Sequence, residues 1–226
     1  MHLSIDTSTR YASVALSSNG ETIIELSWRS QRNHSVELIP AIKQLLESQN
    51  VKASSLSAIF IAKGPGAFSA LRVGMSTAKS MSDSLSIPLV DINTLDIESF
   101  PYTGTYDRVC AIIPAGRTRV YVGKYQRTQD PSYEVIDLEE FIAQANLGWM
   151  YCGEAVSDLS EKLRNKLGDD IKLSQVPPPT RTASKLAFLA NKYFEKDMFS
   201  EALTLEPLYL RSSQVDSAYN KRAKTS

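Results

Sequence analysis

Histidine and cysteine are scarce in this chain, which has two of each among its 226 residues. His2 and His34 lie far apart, so a metal site built on a histidine pair has almost no material. Cys110 and Cys152 stand in separate apolar runs without the close spacing of a metal motif. We therefore expect buried, reduced thiols, as in a cytosolic protein, and no stoichiometric zinc or iron.

An excess of positive charge is also missing, because 25 basic residues balance 25 acidic ones. Proteins that hold nucleic acid through phosphate contacts usually carry a clear basic excess, so this chain is a poor candidate for holding nucleic acid unaided. No apolar run approaches membrane-spanning length, and no basic-then-apolar leader opens the chain. With 42% hydrophobic residues, the sequence predicts a cytoplasmic protein with a sizeable core and no membrane contact.

The most informative stretch is a glycine loop that separates a strand from a helix. The apolar run over 57–62 is predicted to be a strand, because it is short, rich in branched residues and followed by the Gly-Pro-Gly sequence at 64–66, which interrupts regular structure. Gly64 and Gly66 permit backbone angles that a Cβ forbids, and Pro65 delays the next helix, which is predicted to begin at 68–69. Free N–H groups at that helix end can receive an anion. The alternative is a turn that only lets strand and helix pack closely.

The helix after this loop carries a stripe of small residues at Ala70, Gly74, Ala78 and Ser82, spaced every four positions. A glycine in the middle of a helix costs roughly 1 kcal/mol relative to alanine, so close packing must compensate. The stripe lies either on the protein's own sheet or first helix, or against a second chain. The spacing alone does not separate these alternatives.

The order of predicted elements repeats along the chain. A βββαβαβ unit over residues 3–92 is followed by a second one over 108–173, with a further helix at about 182–196. Because strands alternate with helices after each three-stranded meander, we expect mixed sheets covered by helices, in the α/β class. The boundary between the two lobes is predicted in the turn-rich connector 99–105.

Asp6, Thr7 and Ser8 end the first strand and offer a carboxylate, hydroxyls and turn amides. Such a cluster suits a phosphate or a magnesium-bound water, and the alternative is a network that only caps a hairpin. His34, near a helix start, is predicted to be a capping or surface contact. Three isolated arginines could contact a phosphate, but each is expected to be solvated or ion-paired: Arg72, Arg117 and Arg119.

The chain resembles the TsaB (YeaZ) family at five places, which occur in the same order as in that family. They are the opening strand and Asp-Thr turn at 3–9, the first-helix segment at 32–40, the glycine loop with its helix at 62–74, and the stretches 87–95 and 206–211. The resemblance implies a two-lobed actin-like (ASKHA, ribonuclease H-like) fold built from the duplicated units. It places the first lobe at 1–98, the second at 107–212 and a flexible tail at 213–226.

The resemblance also implies a non-catalytic scaffold or activator in threonylcarbamoyl transfer to the tRNA adenosine next to the anticodon. The metal-bearing relative TsaD would catalyse the transfer, TsaE would be a further ATP-binding partner, and tRNA would bind only within the complex. It further implies pairing with TsaD, or with a second copy, through two helices of the first lobe. The interface residues predicted on these helices are His34, Leu38, Ile42, Ala70, Arg72, Gly74 and Ala78.

For cofactors, we expect none bound tightly and a weak ATP or ADP contact at the complex interface. The residues predicted for a weak phosphate contact are Asp6, Thr7, Ser8, Gly64 and Gly66. TsaD carries a histidine pair where this chain reads 93–98, and TsaB relatives commonly have an Asp-Ala-Arg turn where it has Pro114. Both differences favour a chain without catalytic residues or metal over the alternatives, a nucleotide hydrolase or a glycoprotease-type peptidase.

Overall fold

The computed structural model describes residues 1–31 and 33–210. The chain divides into two compact units, the first comprising Met1–Ile97 and Arg181–Leu208. The second comprises Glu98–Thr180 and, among the described residues, Tyr209 and Leu210. Arg32, Arg211 of the segment 206–211 and the predicted tail 213–226 lie outside the described residues.

The first unit is a five-stranded sheet with the strand order β3-β2-β1-β4-β5. Strands β1, β4 and β5 run parallel, whereas β1–β2 and β2–β3 are antiparallel. The elements that begin in this unit, in chain order, are β1 (His2–Asp6), β2 (Tyr11–Ser18), β3 (Glu21–Arg29), α1 (His34–Ser48), β4 (Ala58–Ala62), α2 (Phe68–Leu85), β5 (Leu89–Ile92) and α3 (Thr94–Thr103), with a 3₁₀ turn at Ala53–Ser55.

The second unit repeats this topology with the order β10-β9-β6-β7-β8. Its core lies between the sheet and two helices, and includes Ile112, Val122 and Leu163. Cys110 and Cys152 are buried and free, as expected. The elements are β6 (Arg108–Pro114), β7 (Arg119–Gln126), β8 (Gln129–Asp137), α4 (Leu138–Gln144), β9 (Met150–Cys152), α5 (Val156–Leu167) and β10 (Lys172–Leu173).

The last helix, α6 (Ala183–Phe194), belongs to the first unit. Alternation along β4 explains why, because successive side chains point to opposite faces of the sheet. Ile59 and Ile61 join one core cluster, while Phe60 joins another that contains Leu186 of α6. Both faces of this sheet are therefore covered by helices, as expected for a sheet with buried parallel strands.

The duplicated βββαβαβ order and the mixed sheets are confirmed. Two boundaries need correction. The predicted second lobe, 107–212, is wrong for 181–208, because α6 buries its apolar face on the first sheet. The connector 99–105 is not an open turn, since α3 runs through most of it from Thr94. Among the described residues, no helix is long and apolar enough to cross a membrane.

Candidate functional site

The turn after β1 is the first candidate site, and the structure brings its predicted residues together. Asp6, Thr7 and Ser8 are each at most 1% exposed. The Asp6 Oδ1 atom accepts a hydrogen bond from the Ser8 backbone N–H at 2.8 Å. The Ser8 hydroxyl lies 2.9 Å from the Thr94 hydroxyl. The turn is therefore a buried hydrogen-bond network, which is the capping alternative left open by the sequence.

Arg181 completes this network and was not anticipated from the sequence. Its Nε donates to Asp6 Oδ2 at 2.7 Å, and its terminal nitrogen donates to the Thr9 hydroxyl at 2.7 Å. Both ionic side chains are nearly inaccessible to solvent, at 3% and 1% exposure. Each Asp6 oxygen thus has a donor inside the first unit, and the negative charge is balanced where it lies.

The glycine loop packs directly against the same turn. The Ala67 N–H donates to the Ser8 carbonyl at 2.7 Å, so the first amide before α2 is already bonded. A Cβ on Gly66 would fall well inside 3.0 Å of that carbonyl oxygen. Gly64 has a φ of +102°, which L side chains rarely adopt. Glycine is therefore required at 64 by the backbone angle and at 66 by the close contact with the Ser8 carbonyl. The sequence alone predicts unusual backbone angles at both positions.

The small-residue stripe of α2 also faces this turn. The Thr7 hydroxyl donates to the Ala70 carbonyl at 2.8 Å. A Cβ on Gly74 would collide with that same Thr7 side chain, so only glycine fits there. Ala78 is fully buried in the core cluster that contains Ile61. The stripe accordingly packs on the protein's own sheet, which decides between the two alternatives.

This burial corrects the predicted partner interface. Six of the seven predicted residues are buried within the first unit, so their side chains offer no surface to a second chain: His34, Leu38, Ile42, Ala70, Gly74 and Ala78. His34 contacts the Thr9 carbonyl through Nε2 at 2.9 Å, which makes it an internal tie rather than a surface contact. Arg72 is the exception, because it is exposed.

The outward side of α1 and α2 carries a different set of apolar residues. Val36 and Ile39 of α1 are 68% and 55% exposed, and Phe68 of α2 is 54% exposed. The Arg72 guanidinium lies over the Phe68 ring, 4.1 Å from its centroid. We call Val36, Ile39, Phe68 and Arg72 the outer helix surface. Helices α1 and α2 contact each other, and exposed apolar side chains of this kind can contribute to a protein-binding surface.

Other charged side chains of the first unit near the glycine loop and β5 do not add to a metal or phosphate site. Lys63, beside the glycine loop, pairs with Asp91 at 2.5 Å, and Asp91 also accepts a hydrogen bond from the Ser200 hydroxyl. Asp96 lies in the first turn of α3. Within residues 1–31 and 33–210, no group of three or more His, Cys, Asp or Glu side chains is placed to hold a metal ion.

The corresponding turn of the second unit has no carboxylate to match Asp6. Strand β6 ends at Pro114, and the Ala115 N–H donates to the Arg119 carbonyl at 2.9 Å to close the hairpin. Arg117 and Arg119 are exposed, as expected. Glu98, the last residue of the segment 93–98 where TsaD carries its histidine pair, is buried and accepts a hydrogen bond from the Thr180 hydroxyl at 2.8 Å.

Comparison with solved structures defines the class of fold. The described topology matches component A of the (R)-2-hydroxyglutaryl-CoA dehydratase of Acidaminococcus fermentans, with a TM-score of 0.51 and 12% identity over 84% of this chain and 97% of the other. At that identity the likeness concerns the fold alone. A closer likeness is to YeaZ from Pseudomonas aeruginosa, with a TM-score of 0.75 and 26% identity over 92% of this chain and 99% of that one. The fold is therefore actin-like, as predicted.

Sequence comparisons identify the family. The family model described as TsaD, tRNA N6-adenosine threonylcarbamoyltransferase, matches residues 28–192. The tRNA threonylcarbamoyladenosine biosynthesis protein TsaB of Bacillus subtilis is 27% identical over 98% of this chain and 99% of its own length. The protein of the same name from Buchnera aphidicola of Acyrthosiphon pisum is 34% identical over 57% of this chain and 58% of its own length. The chain belongs to the TsaD family and, within it, to the TsaB (YeaZ) proteins.

Proposed function

We propose that this chain is a non-catalytic subunit that pairs with TsaD and activates it in the formation of threonylcarbamoyladenosine on tRNA. Its near full-length similarity to a TsaB named for tRNA threonylcarbamoyladenosine biosynthesis supports the pathway. TsaD would hold the metal and transfer the threonylcarbamoyl group, and tRNA would be bound only within the complex.

The buried pair between Asp6 and Arg181 is the observation that carries the non-catalytic part of this proposal. Phosphoryl transfer depends on positioned charges that bind metal and phosphate. Here the Asp6 carboxylate accepts from the Arg181 guanidinium and from a backbone amide, at 2.7 and 2.8 Å. A metal-bound nucleotide would have to displace that pair, which is costly for buried charges. The turn is accordingly suited to fixing the first unit, with at most a weak phosphate contact.

The outer helix surface is the proposed contact with TsaD. Its exposed Phe68 ring, with Arg72 stacked on it, is the combination of an aromatic and an arginine that dominates protein interfaces. The family resemblance directs pairing to the same two helices. A second copy of this chain would compete for this surface, TsaE would join as a further partner, and ATP or ADP would bind weakly in the assembled complex.

A binding assay with a matched control tests the pairing. Phe68→Glu should weaken capture of purified TsaD at least tenfold, because it places a charge at the centre of the contact. Phe188→Glu makes the same change at a 44% exposed phenylalanine of α6 and should leave capture unchanged. Undiminished capture by a folded Phe68→Glu protein contradicts the proposed surface. Stimulation of threonylcarbamoyl transfer by TsaD, measured with the same variants, should follow capture.

A further inference from the structure

Strand β3 forms one edge of the first sheet and is nine residues long. The other edge of that sheet, β5, has four residues and is covered by Ser200, whose N–H donates to the Leu89 carbonyl at 2.7 Å and whose hydroxyl accepts from the Asp91 N–H at 3.1 Å. In the second unit, β10 has two residues and β8 contains Pro131. Short strands, covered edges and prolines all hinder pairing with another chain. Within the part of the chain that the structure describes, β3 is the edge that has none of these three features.

The backbone of β3 turns every second residue outward. Segment 24–29 pairs regularly with β2, because the one register shift of this pair lies on the other side of Ile24. One position beyond that segment, the Ser30 N–H donates to the Arg10 carbonyl at 2.8 Å. Hydrogen-bonded residues alternate along an antiparallel pair. The residues whose N–H and C=O groups point away from β2 are therefore Glu25, Ser27 and Arg29, and no other described residue bonds to these backbone groups.

The side chains of β3 also alternate between two faces of the sheet. The face towards α1 packs on the core with three partly buried residues, Ile24, Leu26 and Trp28. On the face towards α6, the Glu25 carboxylate accepts from the Ser184 N–H at 2.9 Å and from the Ser27 hydroxyl at 2.6 Å. Arg29 is exposed. The outward residues thus carry opposite charges four positions apart, with a serine midway between them.

We propose that β3 pairs with β3 of a second copy of this chain, antiparallel, about a two-fold axis at Ser27. A symmetric antiparallel pair of this regular segment must be centred on one of its outward residues. An axis at Glu25 or at Arg29 places like charges directly opposite each other, which is destabilising. The axis at Ser27 instead places Glu25 of each copy opposite Arg29 of the other. Leu26 then lies opposite Trp28 of the second copy, so the other face gains an apolar pair.

The groups on this edge can form the contacts that the pairing requires. Each outward residue exchanges two N–H···O bonds with the residue opposite, as in other complexes made by strand addition. The Glu25 carboxylate has acceptor positions left for a guanidinium, because an ionised carboxylate can accept about four hydrogen bonds. One strand buries little area, so the dimer should be weak, with a Kd on the order of 100 µM.

Sedimentation of the full chain over a range of concentrations tests the surface. The wild type should show a reversible dimer, and Arg29→Glu should weaken it at least tenfold because it sets two carboxylates opposite each other. Phe68→Glu changes the outer helix surface and should leave the dimer unchanged. A wild type that stays monomeric at about 1 mM, tenfold above the expected Kd, overturns the proposal. So does a dimer that Phe68→Glu abolishes and Arg29→Glu leaves intact.

A charge exchange tests the register. Glu25→Arg and Arg29→Glu each create like-charge pairs in their own dimers, so each variant alone should associate at least tenfold more weakly than the wild type. An equal mixture of the two has opposite charges at both pairs and should associate within about threefold of the wild type. Two folded variants that do not associate on mixing contradict the register.

A cross-link at the axis tests the pairing without changing a charge. The Cα atoms of a hydrogen-bonded antiparallel pair are about 5.5 Å apart, which is within the range of a disulfide. Ser27→Cys should therefore give a disulfide-linked dimer with oxidised glutathione. Ser132→Cys, at an exposed serine of the edge strand β8, should cross-link at least tenfold more slowly, and equal rates overturn the proposal. None of these assays contains TsaD, so their outcome is independent of TsaD capture.

Discussion

In both units of this protein, a glycine that follows a strand packs closely against a backbone carbonyl, at the same place in the topology. In the first, Gly66 of the loop after β4 lies against the Ser8 carbonyl, which accepts the Ala67 N–H. In the second, Gly153 follows β9 and lies against the Ile112 carbonyl, which accepts the Ala155 N–H at 3.1 Å. Because both lobes use a glycine this way, the glycine loop does not by itself indicate a phosphate site.

The units differ in what the end of the first strand carries. In the first unit, β1 ends at Asp6, which is neutralised by Arg181 in the interior. In the second, β6 ends at Pro114, which contributes neither a carboxylate nor an N–H donor. The carboxylate of the first unit therefore acts as one half of a buried pair, without a counterpart in the second unit.

The largest expected effect comes from breaking that pair. Arg181→Leu leaves the Asp6 carboxylate buried without its cation and should lower the free energy of unfolding by about 4 kcal/mol. Lys162→Leu breaks the Lys162–Glu139 pair of the second unit, whose side chains are 50% and 73% exposed, and should cost less than about 1 kcal/mol. Urea unfolding of both variants makes the comparison. Similar losses would show that the first pair contributes no more than a surface pair.

Alanine at the two matched glycines should have the next largest effect. In Gly66→Ala and in Gly153→Ala, the new methyl meets a backbone carbonyl that cannot rotate away, so each should lose about 3 kcal/mol. Gly104→Ala is the control, since nothing lies within 4 Å of its added Cβ. Urea unfolding would refute the structural role of both loops if all three variants were equally stable.

The pH dependence of stability should differ between the units. Burial, followed by the nearby amino terminus, lowers the pKa of His2 to about 4, so the folded form of this residue is neutral. Neutral His2 makes its full contribution to the free energy of unfolding above pH 6.5, its ordinary pKa. This contribution should be lost as pH falls towards 4, by about 3 kcal/mol at most. His2→Phe should remove this acid-side slope in unfolding experiments, and an unchanged slope contradicts the assignment.

The second unit should instead lose stability on the alkaline side. Burial raises the pKa of Cys110 from 9.0 to about 12, so the folded thiol keeps a proton that the unfolded chain releases. The contribution of the protonated Cys110 thiol to the free energy of unfolding is complete below pH 9 and should decline between pH 9 and 12. Cys110→Ala should flatten this decline in the same unfolding measurement. A decline of wild-type size in Cys110→Ala would contradict the role of burial at this thiol.

Local patterns predicted much of the fold. The strand predicted over 57–62 is β4, Ala58–Ala62, and the helix predicted to begin at 68–69 is α2, which starts at Phe68. The placement of α6 was missed because a helical pattern does not say which sheet receives its apolar face. Likewise, the small-residue stripe signalled close packing around Gly74 without indicating whether its neighbour was the same chain.

The candidate site was predicted only in part, for a similar reason. Asp6, Thr7 and Ser8 are adjacent in sequence, so their clustering was visible. Arg181 lies 175 positions from Asp6, and no local pattern links two residues so far apart. The available signal was an arginine between two threonines, two residues before the start of α6, and it became meaningful only through the fold.

The most direct test of the central claim is phosphate release from magnesium-ATP by the purified chain alone, with Asp6→Asn measured beside it. The buried pair with Arg181 predicts that the wild type releases phosphate at the background rate and that Asp6→Asn is indistinguishable from it. Sustained hydrolysis by the wild type that Asp6→Asn abolishes would contradict the non-catalytic assignment and favour a nucleotide hydrolase.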